Sequence, residues 1–309
     1  MPGMNKADKI WFDGKFINWD DAQVHVLSHV IHYGTAAFEG LRAYKRENGT
    51  AIFRLRDHYE RLFDSAKIYQ LTPSYSIEQF MDATQELLKV NNLNESYIRP
   101  FIFRGYFNLG VNPLNCPLHV AIAAWQWGKY LGEEGIEKGI RCRVSSWQRV
   151  APNTIPAMAK MAGNYLNSQL MKMEALQDGF DEAIALDSYG YVSEGPGENI
   201  FIIRKGTIFT PPTSSSILPG ITRHTIFKLA RKLGISIKQH VLPRESLYVA
   251  DEIFFTGTAA EITPVVEVDN IKIADGKRGP ITKKLQEEFF GILTGQKKDE
   301  NNWLTEIKF

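Results

Sequence analysis

Short apolar segments joined by tight turns limit what this chain can fold into. Between residues 183 and 210 these segments are Ala183–Leu186, Tyr191–Ser193, Ile200–Ile203 and Thr207–Thr210. The intervening turns carry Gly190 and Gly206, and glycine accepts the positive φ that tight hairpin turns require. Helices are predicted for residues 164–176, 221–233 and 281–293. Closely spaced strands with helices at intervals predict an α+β domain with a barrel-like sheet.

The first of these predicted helices carries its large apolar side chains on one face, and they are Leu166, Leu170, Met173 and Leu176. Gly179 lies just past its end, as is typical of a helix C-terminus.

The N-terminal part of the chain predicts a small α+β domain. Asp13-Gly14 in IWFDGKFI favours a hairpin turn. Helices are predicted at 56–69 and 76–90, the second with a Ser76/Gln79 capping box. Strands are predicted at 97–107 and 118–127, and Pro100 suggests that the first is an edge strand or contains a bulge.

The segment GKYLGEEGIEKG, residues 128–139, is rich in glycine and charge and is typical of a linker. We therefore expect a small N-terminal domain at 1–127, a linker at 128–139 and a larger C-terminal domain with a pseudo-barrel at 140–309.

Composition narrows the class of partner. The chain has 36 basic and 35 acidic residues and no block of like charge, so we expect small-molecule partners rather than nucleic acid or a membrane surface. Two isolated cysteines, Cys116 and Cys142, do not form a disulfide framework. With no signal-peptide pattern and no apolar run of membrane-spanning length, a cytoplasmic location is expected.

A single lysine, Lys160, stands in the small and apolar stretch NTIPAMAKMAGN. The commoner explanation of a lone lysine is a side chain that reaches solvent from a loop. The alternative is an amine nucleophile, because apolar surroundings favour the neutral amine that forms Schiff bases with carbonyl compounds.

Three other segments are suited to binding an anion or a cation. LPGITR (218–223) places Thr222 at a helix N-terminus, where unpaired N–H groups bind phosphate. GTAAE (257–261) is a turn of small residues that lets backbone N–H groups approach an anion. Glu194 lies in SEGPGEN between a strand and a glycine-rich turn. Each segment alone also fits an ordinary capped helix, a turn or a solvated glutamate.

The histidines at positions 25, 29 and 32 have a spacing that could place ligands on one helix face. No cysteine or carboxylate completes an obvious site, so no metal is expected.

The amine, the two anion-binding segments, an arginine at position 61 and a carboxylate form a set that pyridoxal phosphate requires. That cofactor needs a lysine for its aldehyde, an anion cup for its phosphate and an acidic partner for its pyridine nitrogen.

The order of the longer motifs carries a resemblance to a known family. They are HYGTAAFEGLRAY (32–44), YIRP (97–100), SSWQRVAPNTIPAMAKMAGNYLNS (145–168), DEAIALDSYGYVSEGPGEN (181–199), LPGITR (218–223) and GTAAEITPV (257–265). With them the chain resembles the bacterial branched-chain amino-acid aminotransferases, which are pyridoxal-phosphate enzymes of fold type IV. The resemblance covers nearly the whole chain, from about Ile10 to the C-terminal helix.

The resemblance implies roles in holding the cofactor. Lys160 would bind its aldehyde and then shuttle the proton of the substrate Cα, and Glu194 would pair with the pyridine nitrogen. Tyr165 would hydrogen-bond the ring's phenolic oxygen, and Leu218 would pack on the ring face. The phosphate would be held by Arg61, Ile221, Thr222 and Thr258.

The resemblance also implies a substrate pocket and an assembly. Its apolar walls would be Phe38, Tyr33, Trp127, Tyr130, Tyr165 and Val111, with Tyr33 and Val111 supplied by a partner subunit. Tyr97 and the N–H groups of Thr258 and Ala259 would hold the α-carboxylate, and Arg99 would meet the distal carboxylate of glutamate. A homodimer is then the minimal unit, and hexamers are common among bacterial relatives.

The implied reaction is ping-pong transamination between L-valine, L-leucine or L-isoleucine and 2-oxoglutarate. The alternatives within the fold are a D-amino-acid or amine transaminase and aminodeoxychorismate lyase. Outside enzymes, the alternative is a non-catalytic cofactor-binding protein, against which the intact set of Lys160, Glu194 and Arg61 argues.

Overall fold

The computed structural model describes residues 5–128 and 131–309. They divide into two compact units. The first contains Met1–Trp127, Ala159–Gly163 and Gly291–Phe309, and the second contains Gly128–Met158 and Asn164–Phe290.

The helices, in chain order, are α1 (His29–Tyr33), α2 (Leu55–Ile68), α3 (Ile77–Val90), α4 (Glu133–Lys138), α5 (Tyr165–Gln177), α6 (Ile221–Lys232) and α7 (Pro280–Thr294). The strands are β1 (Lys9–Phe12), β2 (Lys15–Asn18), β3 (Ala36–Phe38), β4 (Leu41–Arg46), β5 (Gly49–Phe53), β6 (Ser96–Arg104), β7 (Leu118–Trp125), β8 (Ile140–Val144), β9 (Glu182–Ile184), β10 (Asn199–Arg204), β11 (Thr207–Thr210), β12 (Ile237–Gln239), β13 (Glu252–Gly257), β14 (Glu261–Val268), β15 (Ile271–Lys272) and β16 (Leu304–Ile307).

The first unit is built on an antiparallel sheet in the order β16-β5-β4-β6-β7-β1-β2, with β3 paired to β6. The predicted hairpin of β1 and β2, the helices α2 and α3 and the Ser76/Gln79 capping box are confirmed. Tyr59 and Leu62 of α2 and Phe80 of α3 are fully buried in the core of this unit.

Strand β6 is an interior strand, so of the two alternatives for Pro100, an edge strand or a bulge, the edge strand is wrong. Pro100 pairs with Ile122 of β7 on one side. On the other side β3 ends at Phe38 and β4 begins at Leu41, and between them the N–H of Glu39 donates to the Pro100 carbonyl at 2.9 Å. A proline lacks an N–H, so Pro100 accepts a hydrogen bond here but donates none.

The second unit contains a mixed sheet in the order β12-β11-β10-β13-β14-β8-β9, with β15 paired to β14. The pairs β11–β12, β14–β8 and β8–β9 are parallel, and the other pairs are antiparallel. The α+β class is therefore confirmed, and strands β9, β10 and β11 confirm three of the four short strands predicted between residues 183 and 210. The fourth, Tyr191–Ser193, is not a strand, because Tyr191 and Val192 form only isolated bridges, with Pro243 and Leu186.

The division of the chain differs from a simple two-part split. The C-terminal residues belong to the first unit because β16 pairs with β5 along the whole of its length. The expected linker contains α4, and the buried Ile136 in that helix accepts a hydrogen bond at its carbonyl from Gln286. An apolar side chain that is buried in this way ties the segment to the second unit.

Helix α5 buries a different face from the one that carries most of its large apolar side chains. Ser168, Met171 and Ala175 are buried. The side chains of Leu166, Leu170, Met173 and Leu176 are exposed, by 36% to 67%. The small Ser168 and Ala175 on the buried side let the helix approach β9 closely, and the four large residues are left on the surface.

Within residues 5–128 and 131–309, we find no helix with the length and apolar character needed to cross a bilayer.

Candidate active site

Lys160 is held by backbone pairing with strand β3 in the first unit. Its carbonyl accepts a hydrogen bond from the N–H of Phe38 at 3.0 Å, and its own N–H donates to Ser65 Oγ at 2.9 Å. The flanking Ala159 and Met161 are both buried, and Met161 forms a bridge with Ala37. The segment is thus fixed at the base of the side chain, while the half-buried lysine extends from it.

Aromatic and cationic side chains of the predicted substrate pocket surround this lysine within the first unit. Lys160 Nζ lies 4.9 Å from the centre of the Phe38 ring, and the Arg99 guanidinium lies 4.8 Å from the same ring. Arg99 donates to the Tyr97 hydroxyl at 3.0 Å, and Tyr97 contacts Trp127 edge to face. The structure therefore brings five of the predicted site residues into one connected cluster.

Arg99 also has an unused donor, because its buried Nε has no hydrogen-bond partner among the described residues. A buried guanidinium N–H without an acceptor is costly, so the cluster is suited to receive an anionic oxygen.

Arg61 lies against a fully buried carboxylate that the sequence analysis did not identify. Its Nε and one terminal nitrogen donate to the two oxygens of Glu39, at 2.6 and 2.8 Å. His58 Nδ1 lies 2.8 Å from Glu39 Oε2, and the N–H of Gly40 donates to the same oxygen. Glu39 therefore orients the arginine that was predicted to bind phosphate.

The ionisation of this group follows from its contacts. Burial alone would raise the pKa of Glu39, but the Arg61 charge and the contacts with His58 outweigh burial and hold that pKa well below its usual range. Burial lowers the pKa of His58, and the nearby Arg61 and Lys160 charges lower it further, while Glu39 acts in the opposite direction. We therefore assign a neutral imidazole that donates from Nδ1 to an ionised Glu39.

Tyr33 and Val111 are exposed on the first unit, by 44% and 83%. The Tyr33 hydroxyl donates to the carbonyl of Leu109. The contribution of these two residues from a partner subunit stays a prediction. Tyr130 lies outside the described residues.

The three histidines that were weighed as metal ligands have separate contacts. His25 lies against the Tyr106 ring, His29 stacks on Tyr33, and His32 Nε2 contacts the carbonyl of Val26.

In the second unit, Glu194 is a buried carboxylate in contact with Arg149, Asn199 and Leu218. Arg149 forms an ion pair with Oε1 at 2.8 Å. Asn199 Nδ2 and the N–H of Leu218 donate to Oε2, at 2.9 and 3.1 Å. Only 5% of Glu194 is exposed, so these donors replace water and stabilise the anion.

The segment that follows Leu218 leads into the predicted phosphate cup at the start of α6. Gly220 is the N-cap, with an extended backbone and no side chain to accept from the N–H groups of the first turn. A Cβ at Gly220 would overlap Asn199 Oδ1, so glycine is required for this close approach. Ile221 and Thr222 are buried at the positive end of the helix dipole.

The second predicted anion-binding segment follows strand β13. Thr258 and Ala259 are half-buried in the turn between β13 and β14. In the same strand, the buried Thr256 Oγ1 has no hydrogen-bond partner within the described residues, and Thr256 pairs in register with Asn199. Tyr165 is half-buried as the first residue of α5.

Sequence reasoning missed the partners of the charged site residues. Glu39 could have been noticed as a lone acid in the apolar stretch AAFEGL, by the same signal that identified Lys160. Arg149 carries no such local signal, because it contacts Glu194 through tertiary packing. Asn199 lies five residues after Glu194, at the end of the SEGPGEN motif, and could have been noticed there.

Comparison with known proteins identifies a family. The model of a family described as amino-transferase class IV matches residues 36–268. The chain is 54% identical over 303 residues to a branched-chain-amino-acid aminotransferase of Escherichia coli (strain K12), with 98% of each chain covered.

Solved structures agree with this match. A crystal structure of the E. coli branched-chain amino acid aminotransferase superposes with a TM-score of 0.96 at 54% identity, covering 97% of this chain and 99% of that chain. A branched-chain amino acid aminotransferase from T.th., complexed with N-(5'-phosphopyridoxyl)-L-glutamate, superposes with a TM-score of 0.93 at 44% identity and the same coverage.

Proposed function

The chain belongs to the class IV aminotransferases, and on this premise we propose that it transfers the amino group of L-valine, L-leucine or L-isoleucine to 2-oxoglutarate. The products are the branched 2-oxo acid and L-glutamate, and the cofactor is pyridoxal 5'-phosphate. The observation that carries the proposal is the cluster in which the Lys160 amine and the Arg99 guanidinium lie against one apolar ring, that of Phe38.

The donors and acceptors of each unit fit this cofactor. The anionic Glu194 suits a protonated pyridine nitrogen. The start of α6, with Ile221 and Thr222, suits a phosphate, and so does the turn at Thr258. The orphaned Thr256 hydroxyl is an unused donor in the strand that leads to that turn. Arg61, Leu218 and Tyr165 are further residues that would hold the cofactor.

In the proposed transamination, Lys160 is the residue that would react with the cofactor and the substrate. When bound, pyridoxal 5'-phosphate supplies an aldehyde for amines and an electron-poor ring that stabilises negative charge at the substrate Cα. Lys160 Nζ would hold that aldehyde covalently and later take the proton from the Cα. Glu194 would keep the ring nitrogen protonated.

The substrate pocket would distinguish two kinds of side chain. Phe38 and Trp127 present ring surface suited to the aliphatic side chains of branched amino acids. Tyr97 with the N–H groups of Thr258 and Ala259 would hold the α-carboxylate, and Arg99 would receive the distal carboxylate of glutamate. The phosphopyridoxyl-glutamate complex of the T.th. relative supports glutamate as a substrate.

We further propose a homodimer in which Tyr33 and Val111 complete the neighbouring pocket. Val111 is 83% exposed in the single chain. Other large apolar residues close to Tyr33 or Val111 in the sequence, namely Val26, Ile31 and Phe107, are also exposed. Exposed apolar residues that cluster in this way are typical of a protein interface. A cytoplasmic location fits the two free and buried thiols.

Steady-state kinetics with a panel of amino donors and 2-oxoglutarate tests the proposed function. We expect turnover of L-leucine, L-isoleucine and L-valine, no turnover of D-alanine, and loss of turnover in Lys160→Ala. Turnover of D-alanine without L-leucine would replace the proposal with a D-amino-acid transaminase. Full activity of Lys160→Ala would remove the role of the lysine.

A further inference from the structure

We propose that Arg149 is a positioning residue that keeps Glu194 ionised and correctly oriented. This inference rests on the proposed function for the part in which Glu194 serves the cofactor ring.

The burial of the pair makes the arginine necessary. Arg149 and Glu194 are exposed by only 7% and 5%, and their closest nitrogen and oxygen are 2.8 Å apart. A carboxylate that loses water is protonated more easily unless a nearby cation or hydrogen-bond donors stabilise its charge. The donors from Asn199 and the Leu218 N–H are neutral. Arg149 therefore supplies a full positive charge in direct contact with this carboxylate.

Arg149 is itself tied to a second part of the site. Its backbone N–H donates to the carbonyl of Leu186. Another guanidinium nitrogen lies 3.4 Å from Asn167 Oδ1 and 3.5 Å from Ser168 Oγ, both in α5. That helix begins at Tyr165, the proposed partner of the ring's phenolic oxygen. One guanidinium thus links the carboxylate to the helix that carries the tyrosine.

Arg223 and Glu198 also interact electrostatically with Glu194, and neither can replace Arg149. Arg223 interacts with Glu194 only electrostatically, because its guanidinium donates to the Pro211 carbonyl and to Gln239. Burial, and after it the Glu182 charge, raises the pKa of Glu198, which favours its neutral form. As an acid, Glu198 supplies no positive charge to Glu194.

The test compares Arg149→Met, Arg149→Lys and the double variant Arg149→Met/Glu194→Gln with the wild type. Arg204→Met is the matched control, because Arg204 forms an exposed ion pair with Asp251 in the same unit. The direct readout is the carbon-13 NMR titration of the Glu194 carboxyl in protein without cofactor, assigned by its loss in Glu194→Gln. The second readout is the pH profile of kcat after reconstitution.

We expect the wild-type carboxyl to stay ionised between about pH 5 and pH 9 and to titrate within this range in Arg149→Met. In Arg149→Met, kcat at pH 7 should fall by about 10- to 100-fold, the usual effect of losing a partner that orients a functional ligand. It should recover toward higher pH, where the carboxyl ionises. Arg149→Lys should restore part of the activity, since lysine supplies the charge without the fork of donors.

A Glu194 carboxyl that stays ionised over this range in Arg149→Met would overturn the inference. If Arg149→Met does not fold, the double variant decides. Folding of the double variant supports pairing, because it removes the unpaired charge, whereas failure of both shows that Arg149 is needed only for packing. Absence of transamination in the wild type would refute the proposed function, and the NMR titration would still decide whether Arg149 controls the ionisation.

Discussion

Each of the two units contains a buried arginine–glutamate pair, and the proposed function assigns opposite members of the two pairs to the cofactor. In the first unit, Glu39 is fully buried and accepts from Arg61, His58 and the Gly40 N–H, and Arg61 is the member proposed to bind the phosphate. In the second unit, Arg149 and Glu194 are 7% and 5% exposed, and Glu194 is the member proposed to pair with the ring nitrogen.

The comparison of the two pairs shows that a buried arginine–glutamate pair can hold either its cation or its carboxylate in place. Both carboxylates accept from one arginine and from neutral donors. In the proposed function, the Glu39 carboxylate supports its arginine, whereas the Arg149 guanidinium supports its carboxylate. A buried pair is weak evidence for stability by itself, but loss of one member leaves an uncompensated charge. The variants below test whether the two pairs differ in the way described.

The largest effect on stability is expected from Glu39→Ala. It leaves the Arg61 charge without a carboxylate in a site where Arg61 is 12% exposed. The free energy of unfolding should fall by about 3–5 kcal/mol, measured by urea denaturation. Lys6→Ala, which removes a highly exposed ion pair with Asp20, is the control and should unfold like the wild type. Equal urea midpoints for Glu39→Ala and this control would show that Glu39 is not needed to compensate the Arg61 charge.

A smaller effect, on activity rather than stability, is expected from Glu194→Gln. The amide keeps the shape but cannot hold a charge on the ring nitrogen, so kcat should fall by about 100-fold, or about 2.7 kcal/mol in the activation barrier. Steady-state kinetics with L-leucine measures this. If Glu39→Gln lowered kcat more than Glu194→Gln at equal cofactor occupancy, the proposal that Glu39 only supports Arg61 while Glu194 acts on the cofactor ring would be wrong.

The acid dependence of stability should separate Glu39 from ordinary carboxylates. Its pKa is lowered in the folded state from a reference value of 4.5, so its contribution is present above that value and is lost as pH falls below it. Between pH 6 and pH 3 the wild type should lose about 2 kcal/mol of unfolding free energy through this group. Urea denaturation at both pH values measures the loss. The same loss in Glu39→Gln would show that other groups cause it.

The smallest effects are expected at two hairpin turns, one in each unit. Gly206 has φ +75°, and a Cβ added there would meet no other atom within 4 Å, so Gly206→Ala should cost about 1 kcal/mol through backbone conformation alone. Gly14 has φ +85°, and a Cβ there would approach the Tyr75 hydroxyl to 2.6 Å. Gly14→Ala should therefore cost more than Gly206→Ala by thermal unfolding. Equal costs would mean that Tyr75 moves aside.

Local signals explain what could be predicted. Hairpins at Asp13-Gly14 and Lys205-Gly206, the capping box of α3 and the start of α6 each depend on a few adjacent residues, and all four are confirmed. Features that depend on residues far apart in the chain were not predicted. Strand β16, near the C-terminus, pairs with β5 in the N-terminal part of the chain. Pro100 lies in an interior strand because both β3 and β4 pair with β6 on the side away from β7.

The residues of the candidate site also fall into those that adjacent residues indicate and those that only distant contacts reveal. Lys160 could be selected because its apolar neighbours are adjacent in the chain, and Glu194 because a glycine-rich turn follows it. The resemblance to a family added their roles. Arg149 could not be selected, since 45 residues separate it from Glu194 and ion pairing at that separation depends on the fold.

The sequence by itself determined the turns and the helix starts and selected Lys160 as the candidate amine, because these depend on backbone preferences and polarity within a few residues. Only the tertiary structure decided which charges are paired in the two buried sites, Arg61 with Glu39 and Arg149 with Glu194. Distant segments of the chain bring these partners together, and burial removes the water that would otherwise stabilise each charge.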